Sequence, residues 1–504
     1  MMICFITFER SSEDHLFSNN ANIILLTISL NLNTTFYLGF MSLQDQLIEV
    51  LSKMVAFDTS INPDHNVFPN NDCANYIISY GEKYGYTSLQ VQDCYFMKNG
   101  EKIHEIYPVV LYKKGELEGP TVLFLGHIDV VPVSETELKA WKSSPFEPVV
   151  HSGKLWGRGS GDMKGGVAAF LEAFKDFKIK KGNVVIALSG DEEIGGLDSV
   201  PQVIEALKSN NLLPNYVINA EGSGEAVIVT KRRGGTQIEY EFDLNYHTIE
   251  GEVKSKKFIS QEGGGSESLH SMGFLLGSDI HAMMVAGKYS MDKPVINVIS
   301  SSSKTNSVPS EVLLETVNTL VTKEEKSEIN YSKGLTGIMH ALASIGSLNW
   351  PIVPSKFGPS ICPNLMEVNK ETGKGKITFD IRSMLKDNTS HEILAELISK
   401  HFETYNVKTK SNIILAIDPV NVDPTHPLAV ITSKFAKQNG FEILTVGEKL
   451  GGASDTRYFT SLDIPGIELG PLALNGHGQN EAVDLKSIEK LVHIYRQVFT
   501  ELTD

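Results

Sequence analysis

A histidine and an aspartate stand two residues apart in the segment Gly126-His127-Ile128-Asp129, directly after an apolar run that predicts a strand. Because successive side chains of a strand point to opposite faces, His127 and Asp129 would point the same way. In an open α/β sheet they would emerge beyond the carboxyl ends of the strands, where such sheets bind their ligands. A single pair of this kind is more often a buried, hydrogen-bonded histidine, so the interpretation needs support from elsewhere in the chain.

Acidic residues follow two further apolar runs, each of which predicts a strand. Glu192 and Glu193 come after the run at 183–188, and Glu221 comes after the run at 215–219. If these strands belong to the same sheet as the first one, their carboxylates lie at the same edge as the histidine.

Two loops supply the remaining candidates. Asp162 is the acid of the glycine-rich loop 157–166, and His477 lies between Gly476 and Gly478. Two histidines with three or more carboxylates form a mixed nitrogen and oxygen ligand set that suits Zn²⁺, Co²⁺ or Mn²⁺. This set exceeds the needs of one tetrahedral ion, which indicates two metal ions that share a bridging carboxylate. Solvated loop acids would explain any one of these clusters, but they explain all of them together poorly.

The motifs around these residues resemble one family of dinuclear zinc metallopeptidases and amidohydrolases. It is the family of acetylornithine deacetylase, succinyl-diaminopimelate desuccinylase, aminoacylase and glutamate carboxypeptidase. The resemblance extends from about Met41 to the C-terminus. It is carried, in this order, by Gly-His-Ile-Asp-Val-Val-Pro, Gly-Arg-Gly-Ser-Gly-Asp-Met-Lys-Gly-Gly, Asp-Glu-Glu-Ile-Gly-Gly and Ala-Glu-Gly.

The resemblance implies a role for each candidate. It assigns two groups of metal ligands that share one member, namely His127, Asp162 and Glu221, and Asp162, Glu193 and His477. Glu192 would be the general base, and Asp129 would orient His127, as metal-bound histidines commonly require. The expected cofactors are two divalent ions, Zn²⁺ in the first place.

The resemblance also implies residues that contact the substrate. His270 resembles the family's lid histidine, which reaches the active site of a neighbouring subunit and helps to stabilise the oxyanion. Arg382, in Phe-Asp-Ile-Arg, matches the position that binds the substrate carboxylate, for which the guanidinium fork is suited; a surface ion pair is the alternative. Asn306 begins a turn that would contact the substrate, and Arg457 belongs to a loop that would shape the acyl and carboxylate pocket. His281, on a predicted helix, is interpreted as structural.

The chain has 504 residues, too many for one ordinary core, which predicts two domains or a large insertion. We expect an α/β fold with a mixed central sheet, helices on both faces and an inserted smaller α+β lid or dimerisation domain. The expected divisions are an N-terminal extension outside the fold at 1–41, a catalytic domain in two parts at 42–230 and 424–504, and the insertion at 231–423. Local patterns predict a helix capped by Ser42, an edge-type strand over 231–243, a strand over 376–382 and a helix over 391–405.

The composition restricts the classes of protein. The formal net charge of −16 argues against nucleic-acid binding, and the four cysteines form no CxxC pair, which favours reduced thiols in a cytoplasmic protein. Residues 21–41 are uncharged and about as long as a membrane span, but their asparagines and threonines argue against a membrane helix. A single anchor there is the alternative to an extension outside the fold.

These observations predict a hydrolase that cleaves the amide bond of N-acyl amino acids by means of a metal-activated water. The alternative is a metallo-exopeptidase that acts on di- or tripeptides with the same metals. A remote alternative is a catalytically silent binding homologue, which would require the loss of a ligand or of the base, and none is missing here. We expect a homodimer, because the family's lid commonly pairs with its twin.

Overall fold

The computed structural model describes most of the chain. The described residues are 29–30, 34–35, 41–98, 100–261, 271–302, 304–322, 324, 326–350, 356–386, 388–449, 452 and 454–504. Before Met41, the described residues form two short antiparallel strands, Ser29–Leu30 and Thr34–Thr35. The expectations about an extension or an anchor over 1–41 otherwise lie outside the described residues. Among those that are described, the helices are too short or too polar to cross a lipid bilayer.

The first helix, Leu43–Val55, begins at the predicted cap. The Ser42 hydroxyl accepts the main-chain N–H of Asp45 at 3.1 Å, and the Asp45 carboxylate accepts the N–H of Ser42 at 3.3 Å. This reciprocal arrangement satisfies amides that the helix itself leaves without partners. The predicted apolar stripe is buried along one side of the helix, at Leu47, Val50, Leu51, Met54 and Val55.

A mixed sheet of nine strands forms the centre of the larger part of the molecule. Four neighbouring strands run parallel, in the order Gly466–Glu468, Tyr216–Asn219, Leu117–His127 and Lys181–Ser189. The other strands of the sheet are Val420–Asn421, Thr445–Glu448, Val227–Arg232, Val109–Lys114 and Thr87–Leu89. The strands predicted directly before His127, at 183–188 and at 215–219 are therefore confirmed, and all three end at one edge.

Helices cover both faces of this sheet. Along Leu117–His127, Val122 and Phe124 pack into one hydrophobic core while Leu123 and Leu125 pack into another, as the alternation of a strand requires. The first face carries Leu43–Val55, Asp72–Lys83, Gly165–Phe174, Pro427–Gln438 and Leu485–Thr503. The second face carries Val200–Ser209 and Thr456–Thr460. The predicted α/β fold, with a mixed sheet between helices, is confirmed.

Residues 234–417, which we call the inserted segment, build a separate hydrophobic core. One of its antiparallel sheets has the order Ser360–Asn369, Lys374–Ser383, Gly234–Asp243 and Thr409–Ile417. The other has the order Val295–Ser300, Glu311–Asn318, Tyr246–Ile259 and Ser327–Ser332. Its helices are Ala282–Ser290, Lys333–Leu342 and Asn388–Thr404.

The single edge strand predicted over 231–243 is wrong. The structure has two strands there, because Val227–Arg232 pairs within the central sheet and Gly234–Asp243 lies between two strands of the inserted segment. The second strand begins at Gly234. A β-carbon at this position would lie within 2.1 Å of the Ile417 carbonyl oxygen, so the close approach of the chain requires glycine. Val420–Asn421 also pairs in the central sheet, so the two sheets of the inserted segment take their strands from residues 234–417.

A small four-stranded sheet joins distant parts of the chain. Its order is Ala473–Leu474, Ala482–Asp484, Lys154–Trp156 and Val149–His151. It sets the C-terminal loop around His477 beside the glycine-rich loop, although more than 300 residues separate the two in sequence. The remaining elements are the hairpin Tyr95–Lys98 and Glu101–Glu105, the short helix Glu135–Leu138, the 3₁₀ turns Pro63–His65, Glu192–Ile194 and Ile345–Ser347, and the π turn Ser160–Lys164.

Candidate metal centre and active site

The parallel strands deliver three of the candidate ligands to one edge of the central sheet. His127 is the last residue of its strand and pairs with Ser189, so the turn that carries Glu193 begins beside it. Glu221 lies two residues beyond the strand Tyr216–Asn219, on the other side of His127. The glycine-rich loop and the C-terminal loop then place Asp162 and His477 opposite these strand ends.

Two groups of possible ligand atoms form there, and Asp162 belongs to both. In the first group, the Nε2 atom of His127 lies 3.1 Å from Asp162 Oδ1 and 4.0 Å from Glu221 Oε1. In the second group, the Nε2 atom of His477 lies 3.1 Å from Asp162 Oδ2 and 3.0 Å from Glu193 Oε2. One carboxylate therefore presents one oxygen to each histidine.

The electrostatics of the two groups suit cations. Burial and the charge of Asp162 raise the pKa of Glu221 to about 8, and burial also raises the pKa of Glu193. Hydrogen bonds to Asp162 and Glu193 raise the pKa of His477 to about 11. Among the described residues, the Oε1 atom of Glu193 is buried without a hydrogen-bond partner. Divalent ions would stabilise these carboxylates in ionised form and replace the proton on His477, so the residues fit a pair of metal ions.

Asp129 fixes both a histidine and a turn. The Nδ1 atom of His127 lies 2.9 Å from the main-chain oxygen of Asp129 and 3.6 Å from its carboxylate. Nδ1 therefore donates to Asp129, so that Nε2 is the ring nitrogen that lies beside the carboxylates of the first ligand group. The Asp129 carboxylate accepts the main-chain N–H groups of Glu192 at 3.2 Å and Glu193 at 2.9 Å. The sequence predicted the contact to His127 but gave no indication of the contacts to the turn.

Glu192 and Glu193, the two adjacent acids of this turn, have different neighbours. Glu193 contacts His477, whereas the carboxyl of Glu192 lies close enough to Glu221 and His127 for their charges to act on it. Burial and the charge of Glu221 raise the pKa of Glu192 well above its usual value. Glu192 is absent from both sets of ligand atoms.

Arg457 contacts the residue that follows this turn, and Asp455 contacts the end of the strand that precedes it. The guanidinium of Arg457 is buried, and it donates to the main-chain oxygens of Ser454, at 3.0 Å, and Gly195. Asp455 accepts the hydroxyl of Ser189 at 2.6 Å. These contacts of Arg457 position the turn, and its expected part in shaping the acyl and carboxylate pocket stays a prediction. Sequence reasoning gave Asp455 no role, although it stands two residues before Arg457 in the same loop.

The inserted segment gathers two of the expected substrate residues around Ser271. The main-chain oxygen of Asn306 accepts the main-chain N–H of Ser271 at 3.0 Å. Ser360 donates to the main-chain oxygen of Ser271 and is paired with Arg382 across two strands. Arg382 donates to Asp380 at 3.0 Å, and its buried Nε finds no hydrogen-bond partner within the described ranges. His270 precedes Ser271 directly but lies outside the described residues.

Two adjacent arginines lie where the inserted segment begins, and sequence reasoning did not assign them a role. Arg232 donates to Glu468, which ends a central strand, at 2.6 Å. Arg233 donates to the main-chain oxygen of Gly358, in the inserted segment, at 3.2 Å. Two consecutive side chains therefore bind the central sheet on one side and the inserted segment on the other. The pair of basic residues at the start of the strand predicted over 231–243 was the available signal.

Residues 123–501 match the model of a protein family described as peptidase family M20/M25/M40. The chain belongs to this family. The resemblance inferred from the motifs is thereby confirmed.

The curated relatives of this M20/M25/M40 family member are named enzymes. Succinyl-diaminopimelate desuccinylase of Nautilia profundicola is 26% identical over 400 residues, which cover 78% of this chain and 86% of the relative. The enzyme of the same name from Sulfurovum is 25% identical over 461 residues, covering 91% of this chain and 99% of the relative. The chain is therefore an enzyme, a metal-dependent hydrolase, and the remote alternative of a silent binding homologue falls away.

Solved structures share the fold. Aminoacylhistidine dipeptidase from Vibrio alginolyticus has a TM-score of 0.66 at 14% identity, with 92% of this chain and 98% of that chain covered. The YXEP protein of Bacillus subtilis, described as a dinuclear metal binding peptidase from the M20 family, has a TM-score of 0.51 at 12% identity over 92% of this chain and 98% of that one. These likenesses show the fold, whereas the family and the two ligand groups of this chain support divalent metal ions as its cofactors.

Proposed function

We propose that the protein hydrolyses the amide bond of N-acyl amino acids with two divalent metal ions, Zn²⁺ in the first place. The observation that carries the proposal is the position of Asp162, whose two oxygens face two histidines in two separate ligand groups. A shared carboxylate of this kind is typical of two-metal hydrolases. The names of the curated relatives support an acyl group on an amino acid as the substrate class.

In this proposal, each residue has a defined task. His127, Asp162 and Glu221 would hold one ion, and Asp162, Glu193 and His477 would hold the other. When bound, the ions would lower the pKa of a water molecule and polarise the scissile carbonyl. Glu192 removes a proton from the attacking water and returns it to the departing amine, so that one carboxylate acts first as a base and then as an acid. Asp129 keeps His127 in the required tautomer and holds the turn that carries Glu192.

A metallo-exopeptidase that cleaves di- or tripeptides is the second candidate. It would use the same ligands and the same base, and the fold shared with aminoacylhistidine dipeptidase from Vibrio alginolyticus favours it. The two candidates differ in the pocket that receives the acyl side of the substrate. Acetylornithine and succinyl-diaminopimelate are the model compounds for the first candidate, and unmodified dipeptides are the model compounds for the second.

A substrate panel with controlled metal content tests the proposal. Protein stripped with a chelator should be inactive, and Zn²⁺, Co²⁺ or Mn²⁺ should restore hydrolysis of N-acetyl or N-succinyl amino acids, followed by release of the free amine. Rates on dipeptides should be lower by at least ~10-fold, the equivalent of ~1.4 kcal/mol in transition-state binding. Faster hydrolysis of dipeptides would select the second candidate, and activity that survives chelation would contradict the metal mechanism.

We propose that Arg382 binds the carboxylate of the amino-acid part. Its guanidinium is buried beside Asp380 and keeps an unpartnered Nε among the described residues. Replacing it by lysine should raise KM by ~10–100-fold, since hydrogen bonds to charged groups contribute ~1.5–3 kcal/mol. Comparison with a substrate whose carboxylate is amidated provides the control. If the substitution raises KM equally for both substrates, Arg382 does not bind the carboxylate.

The assembly and the location are proposals that rest on the family resemblance. We propose a cytoplasmic homodimer in which His270 serves the active site of the partner subunit, and in which the inserted segment acts as the lid and dimerisation domain. The separate core of that segment supports its treatment as a domain. The three cysteines among the described residues are buried and free, namely Cys73, Cys94 and Cys362, as is typical of a reducing compartment.

A further inference from the structure

A buried ion pair lies behind the metal-binding loops and belongs to neither ligand group. Arg158 stands in the glycine-rich loop four residues before Asp162, and Glu481 stands four residues after His477. The Nη1 atom of Arg158 lies 2.7 Å from Glu481 Oε2, and each side chain is 1% exposed. Two charges removed from water to this degree are costly unless they satisfy further groups, so the other partners of the pair show what it does.

Glu481 binds the main chain of the glycine-rich loop. One of its oxygens accepts the N–H of Gly159 at 3.0 Å, and the other accepts the N–H groups of Gly161 at 2.9 Å and Asp162 at 3.0 Å. Three amides of one loop therefore converge on a single carboxylate. The last of them belongs to the residue whose side chain is shared by both ligand groups, so Glu481 fixes the main chain from which that side chain extends.

Arg158 binds the opposite loop. Its Nη2 atom donates to the main-chain oxygen of His477 at 3.3 Å. The N–H of Gly157 donates to the main-chain oxygen of Glu481 at 3.0 Å, where the two loops leave the paired strands of the small sheet. Each member of the ion pair thus holds the loop that the other member comes from.

We infer that Arg158 and Glu481 are positioning residues that set the spacing between Asp162 and His477 and thereby the affinity for the second metal ion. The inference rests on the proposed function, because it assigns Asp162, Glu193 and His477 to that ion. The pair holds Asp162 and His477 through their main-chain atoms, and its hydrogen bonds among the described residues do not extend to His127 or Glu221. Loss of the pair therefore weakens the second ion more than the first.

Glu481→Gln is the decisive variant. A carboxamide has the shape of a carboxylate but only one accepting oxygen, so in either orientation its NH₂ group faces donors that Glu481 now satisfies. Isothermal titration of metal-free protein with Zn²⁺ should show a second-ion Kd that is ~10–100-fold higher than in the wild type, the usual effect of losing a group that holds a metal ligand. The first-ion Kd should change less. Glu501→Gln, on the exposed side of the last helix, is the matched control and should bind both ions normally.

Arg158→Lys is a second variant, which keeps the inference testable if Glu481→Gln does not fold. It keeps the charge beside Glu481, so no buried carboxylate is left alone, but a lysine cannot reach both Glu481 and the His477 oxygen. It should shift the second-ion Kd in the same direction by a smaller factor, with an unchanged far-ultraviolet circular dichroism spectrum.

The outcomes separate the inference from the proposed function. Two ions in the wild type with an unchanged second-ion Kd in the folded variants would overturn the inference alone. An equal loss of affinity for both ions in the variants would show that the pair has only a general structural role, which would also overturn the inference. A wild-type protein that binds only one ion would overturn the proposed two-metal function, and the inference with it.

Discussion

Replacing Glu192 by glutamine is expected to lower kcat by ~10²–10⁴-fold, the range that a positioned general acid–base group contributes. The glutamine amide keeps the size of the side chain but cannot take a proton from water or return it to the leaving amine. Glu192 is absent from both groups of ligand atoms, and the main-chain N–H groups of the turn still bind Asp129 in the variant. Metal content and fold should therefore be preserved.

Two measurements separate this loss from damage to the site. Metal content per chain, determined by atomic absorption, should stay at the wild-type value, and KM should change far less than kcat. Glu205→Gln, an exposed substitution on the helix Val200–Ser209, serves as the matched control and should leave kcat unchanged. Near-normal turnover of Glu192→Gln would remove Glu192 from the role of base, and Asp129 would become the next candidate.

Replacing Asp162 by asparagine is expected to abolish binding of both metal ions and to leave only background activity. The side chain contributes one oxygen to each ligand group, and asparagine offers one neutral oxygen in place of two charged ones. Metal catalysis provides several kcal/mol of transition-state stabilisation. Since ~1.4 kcal/mol corresponds to tenfold in rate, kcat should fall by ~10³-fold or more.

The loss of metal can be observed without turnover. Titration of the Asp162→Asn variant with Zn²⁺ should show no site of wild-type affinity, whereas Asp64→Asn, at an exposed position, should bind as the wild type does. Burial favours a higher pKa for Asp162, but hydrogen bonds from His127 and His477 lower it on balance, so asparagine also removes the favourable contacts of both histidines. Retention of one ion at full affinity would show that the carboxylate is not shared.

The sequence pattern predicted those residues of the site that lie at or just beyond the ends of strands. His127, Glu192, Glu193 and Glu221 each stand at or just beyond the end of an apolar run, and parallel strands align such ends at one edge of a sheet. This inference needs only the period of two of a strand and the length of the runs. The helix that begins after Ser42 was predictable for the same reason, because its cap and its apolar stripe are local features.

The sequence alone did not predict contacts that depend on pairing between distant segments. His477 reaches Asp162 because Ala482–Asp484 pairs with Lys154–Trp156, and no local pattern specifies the partner of a three-residue strand. The alternation of polar and apolar residues over 231–243 correctly predicted extended structure but wrongly predicted one continuous strand. A pattern of period two does not show which sheet a strand joins.

The roles of several charged residues were likewise decided by the tertiary structure. Arg457 matched a motif for substrate contact, yet its donors are bonded to the main-chain oxygens of Ser454 and Gly195. Glu481 stood beside a candidate ligand without a motif of its own, and only the fold shows three loop amides converging on it. Residue types determine which chemistry a site can perform and where strands and helices begin. Which polar groups remain free for that chemistry depends on hydrogen bonds across the fold, because each donor or acceptor that is buried must first find its partner.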